Sequence, residues 1–148
     1  MTTITEVQAT QVYQLFIKAT PEQIWDAITK PEFTERYFHG ARHTVTPDHY
    51  MSRGPDGSVW GDADVFDFDP PRKLSHGWRS LYSEELVAEE ESRVTWEIEP
   101  GEDGVSLLTV VHDRLEGAPK TAASVAGPGW MRVLSGLKTL LETGKPLS

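Results

Sequence analysis

No cysteine occurs anywhere in the 148 residues. That excludes a disulfide framework, a thiol nucleophile and a thiolate metal site. Long apolar runs are missing as well, and no stretch approaches the ~18 residues needed to cross a bilayer. The opening residues, Met1 to Glu6, bring neither a basic segment nor an apolar one. No secretory signal is therefore expected, and the cytoplasm is the expected location. Positive charge is scarce: 14 Lys and Arg stand against 23 Asp and Glu, for a formal net charge of −9. Such a field repels nucleic acid and anionic membrane surfaces, and no basic cluster offsets it. Neither partner is expected. The chain also lacks a Gly-x-Ser-x-Gly elbow, a P-loop and a dinucleotide fingerprint.

What is present has the composition of one globular domain, 38% hydrophobic and 25% charged. A single domain over 1–148 is expected, with an ordered core from about 12 to 146. Val12–Ile17 is rich in β-branched and aromatic residues and predicts a first strand. A helix start follows, with Thr20 as cap, Pro21 in the first turn and Gln23 completing a Thr-x-x-Gln capping box. Ile24, Ala27 and Ile28 then share one face. Pro31 predicts a second short helix running to about Tyr37, which Gly40 ends.

Six strand candidates fill the middle: 42–46, 49–53, 59–68, 73–79, 93–99 and 105–114. Turns rich in Pro, Asp and Gly separate several of them, at 55–57, 69–71 and 101–104. Alternation slips at Val65-Phe66, which predicts a bulge and leaves the inward face of 59–68 open. Trp130, Val133, Leu134, Leu137, Leu140 and Leu141 form the apolar stripe of a long last helix. Gly127-Pro-Gly129 reads as a breaker before it. The order is strand, two helices, six strands, long helix: an α+β chain with helices on one side of an antiparallel sheet.

Several segments resemble a known family in the right order. They are Ile17-Lys-Ala-Thr-Pro-Glu-Gln-Ile-Trp25, Asp69-Pro-Pro-Arg-Lys-Leu74, Arg93-Val-Thr-Trp-Glu-Ile-Glu-Pro100 and the run from Gly129 to Gly144. They are similar to the Hsp-90 ATPase activator homologue-like family of the SRPBCC (START-like, Bet v 1-like) superfamily. The resemblance covers about Val12 to Pro146. It implies a helix-grip fold: a curved antiparallel sheet wrapped around the C-terminal helix, with a cavity between them. The superfamily contains carriers, receptors, cyclases and oxygenase subunits, so the fold does not fix an activity. Eukaryotic chaperone activators carry an additional N-terminal domain that this sequence does not include, so the family title is weak ground for chaperone activation.

Five tryptophans point toward an aromatic-walled pocket. Trp25 reads as core, and Trp60 lies on the strand whose facing is open. The expected ligand-binding residues are His76, Trp78, Trp96, His112, Trp130 and Leu134. His76 and His112 each share a strand face with apolar residues, so each needs a polar partner, from a ligand or from the core itself. His39 and His43 have i, i+4 spacing, but Gly40 between them breaks the helix a zinc pair would need. No metal, no cofactor and no catalytic residue is assigned. Asp62 and Asp64 read as an exposed strand face, and Glu84, Glu85, Glu89, Glu90 and Glu91 as a solvated acidic loop. Three readings stay open. The first is a carrier or sensor for an apolar metabolite (lipid, isoprenoid or polyketide-like). The second is a cyclase- or hydratase-like enzyme using His76 or His112. The third is a protein-interaction module whose acidic surface docks a partner.

Overall fold

The computed structural model describes residues 9–126 and 128–147. The chain runs β1 (Gln11–Ile17), α1 (Pro21–Thr29), α2 (Pro31–Thr34), β2 (Arg42–Val45), β3 (His49–Arg53), β4 (Val59–Asp69) and β5 (Lys73–Trp78). It continues through α3 (Glu84–Val87), β6 (Ser92–Pro100), β7 (Ser106–Asp113), α4 (Pro119–Val125) and α5 (Pro128–Thr143). The seven strands form one antiparallel sheet in the order β1-β7-β6-β5-β4-β3-β2. Each strand after β2 pairs with the next by a local connection, and β1 then closes onto β7.

Local sequence accounts for the elements. Thr20 accepts from the Gln23 N–H at 3.2 Å while the Gln23 side chain accepts from the Thr20 N–H at 2.8 Å. Two otherwise orphaned amides of α1 are satisfied, and Pro21 occupies a position that needs no donor. Ile24, Trp25, Ala27 and Ile28 are its buried face. In β4 the ladder shifts between Val65 and Asp67, so Phe66 bulges outward and stands 52% exposed. That resolves the facing of this strand: Gly61 and Ala63 are buried, Asp62 and Asp64 exposed.

One core cluster joins the inner face of the sheet to the helices. Leu74, Val94, Trp96, Ile98, Leu108 and Val110 come from the strands, and Trp130, Val133, Leu134, Leu137 and Leu140 from α5. Ile24, Trp25, Ala27 and Ile28 of α1 complete it. A fully buried Leu such as Leu137 contributes roughly 1.5–3 kcal/mol through area removed from water. Gly136 lets α5 approach α2's exit, because a Cβ there would lie 3.2 Å from the Tyr37 Cβ.

Three expectations need correction. The second helix stops at Thr34, and single turns carry the chain on through Phe38. Two short helices, α3 and α4, stand where none was expected. The acidic stretch is only partly a solvated loop. Glu89 accepts from the Lys120 N–H at 2.7 Å and from the Thr121 N–H at 2.8 Å, taking up free amides at the start of α4. Gly127, part of the expected breaker, lies outside the described residues, as do residues 1–8 of the expected domain.

Candidate functional site

A cavity of about 300 Å³ opens between the β3–β5 end of the sheet, the α2–β2 turn and the first turns of α5. Six aromatic side chains contribute to its wall: Phe38, Tyr50, Trp60, Trp78, Tyr82 and Trp130. The Trp78 ring stands 5.8 Å from Trp130, 6.0 Å from Phe38 and 6.4 Å from Tyr50. Such spacings are those of rings in mutual contact. His39, Asp62, Arg79 and Tyr82 line the cavity too and are exposed, so the charged groups sit at its mouth. Inside, the polar groups are His43, Tyr50, Ser52 and Ser80.

Behind this wall lies a second, closed layer of imidazole and indole. The Trp96 Nε1–H donates to His76 Nε2 at 3.1 Å, and His76 Nδ1 lies 2.8 Å from the Gly77 carbonyl. An indole can only donate, so Nε2 is the bare nitrogen and Nδ1 carries the proton. The same logic fixes His112. Trp130 Nε1–H donates to its Nδ1 at 3.1 Å, so Nε2–H donates to Ser92 Oγ at 2.8 Å. The Ser92 hydroxyl in turn donates to the Trp78 carbonyl at 3.2 Å. Burial pushes the His76 imidazole down to about 4 and that of His112 to about 3, holding both neutral.

This geometry distributes the expected ligand-binding residues between two roles. Trp78 and Trp130 line the cavity. His76, Trp96, His112 and Leu134 are not among its lining residues; they sit in the packed core with at most 4% exposure. Neither histidine has a carboxylate in hydrogen-bond contact, and both nitrogens of each are already used. A general acid–base role needs a free nitrogen, and neither histidine has one.

Sequence reasoning passed over the residues that carry the cavity's polarity. Tyr50 drew no notice, and His43 entered only as half of a doubtful zinc pair. His43 faces Ser52 across the β2–β3 ladder and Tyr50 faces Val45. The Tyr50 hydroxyl sits 3.1 Å from His43 Nδ1 and 3.3 Å from Nε2. The available signal was the alternation of β2 and β3, which puts His43, Tyr50 and Ser52 on one buried face. Burial holds His43 neutral, down to about 3, and lifts the Tyr50 phenol well above its ordinary value. Among the described residues, no group of three His, Cys, Asp or Glu is placed to hold a metal ion. No helix among them is long and apolar enough to cross a membrane.

A curved antiparallel sheet gripping a C-terminal helix, with an aromatic cavity between them, defines a helix-grip domain. The family model described as activator of Hsp90 ATPase homolog 1-like protein matches residues 18–142, and the chain belongs to that family. Solved structures share the fold at low identity. The protein MLL2253 from Mesorhizobium loti is 23% identical over 90% of this chain and 96% of that one, with a TM-score of 0.72. DynU16, a protein in the dynemicin biosynthetic locus, is 23% identical over 94% of this chain and 49% of its own, at 0.73. The Aha1 dimer from Colwellia psychrerythraea is 18% identical over 93% and 99%, at 0.71. No protein of curated function gives a significant sequence match.

Proposed function

We propose that this protein binds an apolar small molecule in the cavity under α5, as a carrier or sensor. One observation carries the reading: an internal space of about 300 Å³ walled by six aromatic side chains, with its charged groups kept to the mouth. That volume is at the lower end of the range for ligand pockets, and rigid rings give large contact area at small entropic cost. Trp78 and Trp130 contact the ligand in this reading. His76, Trp96, His112 and Leu134 hold those walls from behind. The origin of DynU16 in a biosynthetic locus supports a small-molecule role for this architecture. Catalysis by His76 or His112 finds no support, since their nitrogens are spent within the core.

Native mass spectrometry of gently purified protein tests the reading directly. A copurifying small molecule, released on denaturation, is the expected result. Ligand added at about 100 times its Kd should stabilise the fold by roughly 2.7 kcal/mol. A broad screen of apolar compounds that leaves the melting temperature unmoved would count against binding and favour an interaction module.

A further inference from the structure

His43 is the odd member of the three buried histidines. His76 and His112 each have two separate partners, one for each ring nitrogen. His43 has one: among the described residues, both its nitrogens lie near the same Tyr50 hydroxyl. The in-plane directions of Nδ1 and Nε2 diverge widely, so one oxygen cannot lie in line with both. Whichever nitrogen the hydroxyl serves, the pair keeps an unspent donor or acceptor. Both residues line the cavity, and both are buried.

A second observation converges on the same wall. Trp78 Nε1–H is buried without an acceptor, the one such side-chain atom among the described residues. Trp96 and Trp130 both spend their indole protons on histidines. Burying a donor unsatisfied costs about 1–3 kcal/mol, so natural cores rarely leave one without a partner. Trp78 lies 6.4 Å from Tyr50, ring to ring. Among the described residues, the formally charged ones lining the cavity, Asp62 and Arg79, are exposed at the mouth.

We propose that His43, Tyr50 and Trp78 form a polar anchor that selects a compact, uncharged aromatic ligand bearing a hydroxyl or carbonyl oxygen. The proposal rests on the binding reading above and specifies its ligand class. A hydroxyl suits the anchor best, because it can accept from the indole or imidazole N–H and donate to a bare nitrogen. A carboxylate would enter without a buried cation to meet it, which is unfavourable. A cavity of about 300 Å³, at the lower end for ligand pockets, suits a ligand of one or two rings.

Three probes of one skeleton separate the possibilities: naphthalene, 2-naphthol and 2-naphthoate, titrated at pH 7.5 and read by tryptophan fluorescence and calorimetry. We expect 2-naphthol to bind about five- to tenfold tighter than naphthalene, the worth of one net hydrogen bond, and 2-naphthoate to bind weakest. Tyr50→Phe and His43→Leu should each reduce the preference for 2-naphthol over naphthalene to about onefold, the ratio and not either affinity being the readout. Tyr50→Phe keeps the ring stacked on His76, and near-ultraviolet circular dichroism checks that each variant is folded. Equal binding of naphthalene and 2-naphthol by the wild-type protein overturns the anchor alone, as does a variant that keeps the full preference. Tightest binding of 2-naphthoate overturns it in favour of Arg79 at the mouth. Failure of all three probes to bind overturns the anchor and its ligand class, while the binding reading stands or falls separately on the copurifying molecule and the broad screen.

Discussion

Two layers of aromatic and imidazole groups lie side by side under α5, and they differ in how their hydrogen bonds close. In the inner layer, Trp96–His76 and Trp130–His112–Ser92 spend every ring nitrogen on a protein partner. In the cavity layer, His43 and Tyr50 share one hydroxyl contact, and Trp78 Nε1–H has no acceptor among the described residues. Both layers use the same residue types at similar burial. Composition therefore does not separate a core histidine from a cavity-facing one; the count of partners against donors and acceptors does. A closed network rigidifies the core, while an open one leaves polarity for something else to satisfy.

The largest effect expected is the pH dependence of stability, which tests whether both layers hold their histidines neutral. The folded values are about 3 for His43, about 4 for His76 and about 3 for His112, against an ordinary 6.5. The unfolded chain therefore takes up protons below pH 6.5 that the folded chain refuses. Stability should be complete above 6.5 and fall as pH drops toward 4, continuing to about 3. At pH 5 each histidine contributes a loss of about 2 kcal/mol, so the three together approach several. Carboxylates unfold proteins mainly below that window, which leaves pH 6.5 to 5 as the diagnostic interval. Urea midpoints that stay level across it would show that these imidazoles are charged in the fold or reached by water.

Truncating the closed layer comes next. Trp96→Ala removes a ring that is 3% exposed and leaves His76 Nε2 without its donor. A loss of about 3–5 kcal/mol is expected in equilibrium unfolding. A loss below about 1.5 kcal/mol would mean that the inner layer is loosely packed, and the contrast with the cavity wall would collapse.

The sequence announced the fold far more clearly than the site. The strand candidates 73–79 and 93–99 coincide with β5 and β6 to within a residue at each end. The capping box at Thr20 and the stripe from Trp130 to Leu141 located the bounding helices within a few residues. These signals are local and periodic, so a single chain displays them. The pairing of each histidine is not local. His76 meets Trp96 across 20 positions, and His112 meets Ser92 across 20 and Trp130 across 18. Facing inward was readable; facing a cavity or a packed neighbour was not. His43 was hidden for a further reason: its short strand reads as alternating only beside β3, where Tyr50 and Ser52 share its buried face. The short helices α3 and α4 depend on tertiary partners such as Glu89, so their propensity alone gave no warning.

A finer test compares the same substitution at the two wall tryptophans, one bonded into the inner layer and one not. Trp130→Phe and Trp78→Phe remove equal volume, but only the first breaks a hydrogen bond. Trp130→Phe strands His112 Nδ1 in the core and should cost about 1–3 kcal/mol beyond the packing loss. Trp78→Phe removes a buried donor that has no partner, so relief of that burden should offset part of the lost area. The two variants should differ by at least about 1 kcal/mol in denaturant unfolding. Equal losses would indicate that Trp78 has an acceptor after all.

The smallest effect belongs to Tyr50→Phe, and its size distinguishes a structural hydroxyl from one kept for a ligand. The Tyr50 ring stacks on His76 with centroids 3.9 Å apart and planes 7° from parallel, and phenylalanine retains that contact. Only the hydroxyl is lost, and with it the single link to His43. If the hydroxyl closed a network of the inner-layer kind, its removal would strand a buried imidazole and cost about 1–3 kcal/mol. Because His43 lines the cavity, water can replace the hydroxyl at a free ring nitrogen. A loss under about 1 kcal/mol in thermal or urea unfolding is therefore expected. Such a result would place the tyrosine oxygen with the site; a loss of 3 kcal/mol would move Tyr50 and His43 into the structural layer beside His76 and His112.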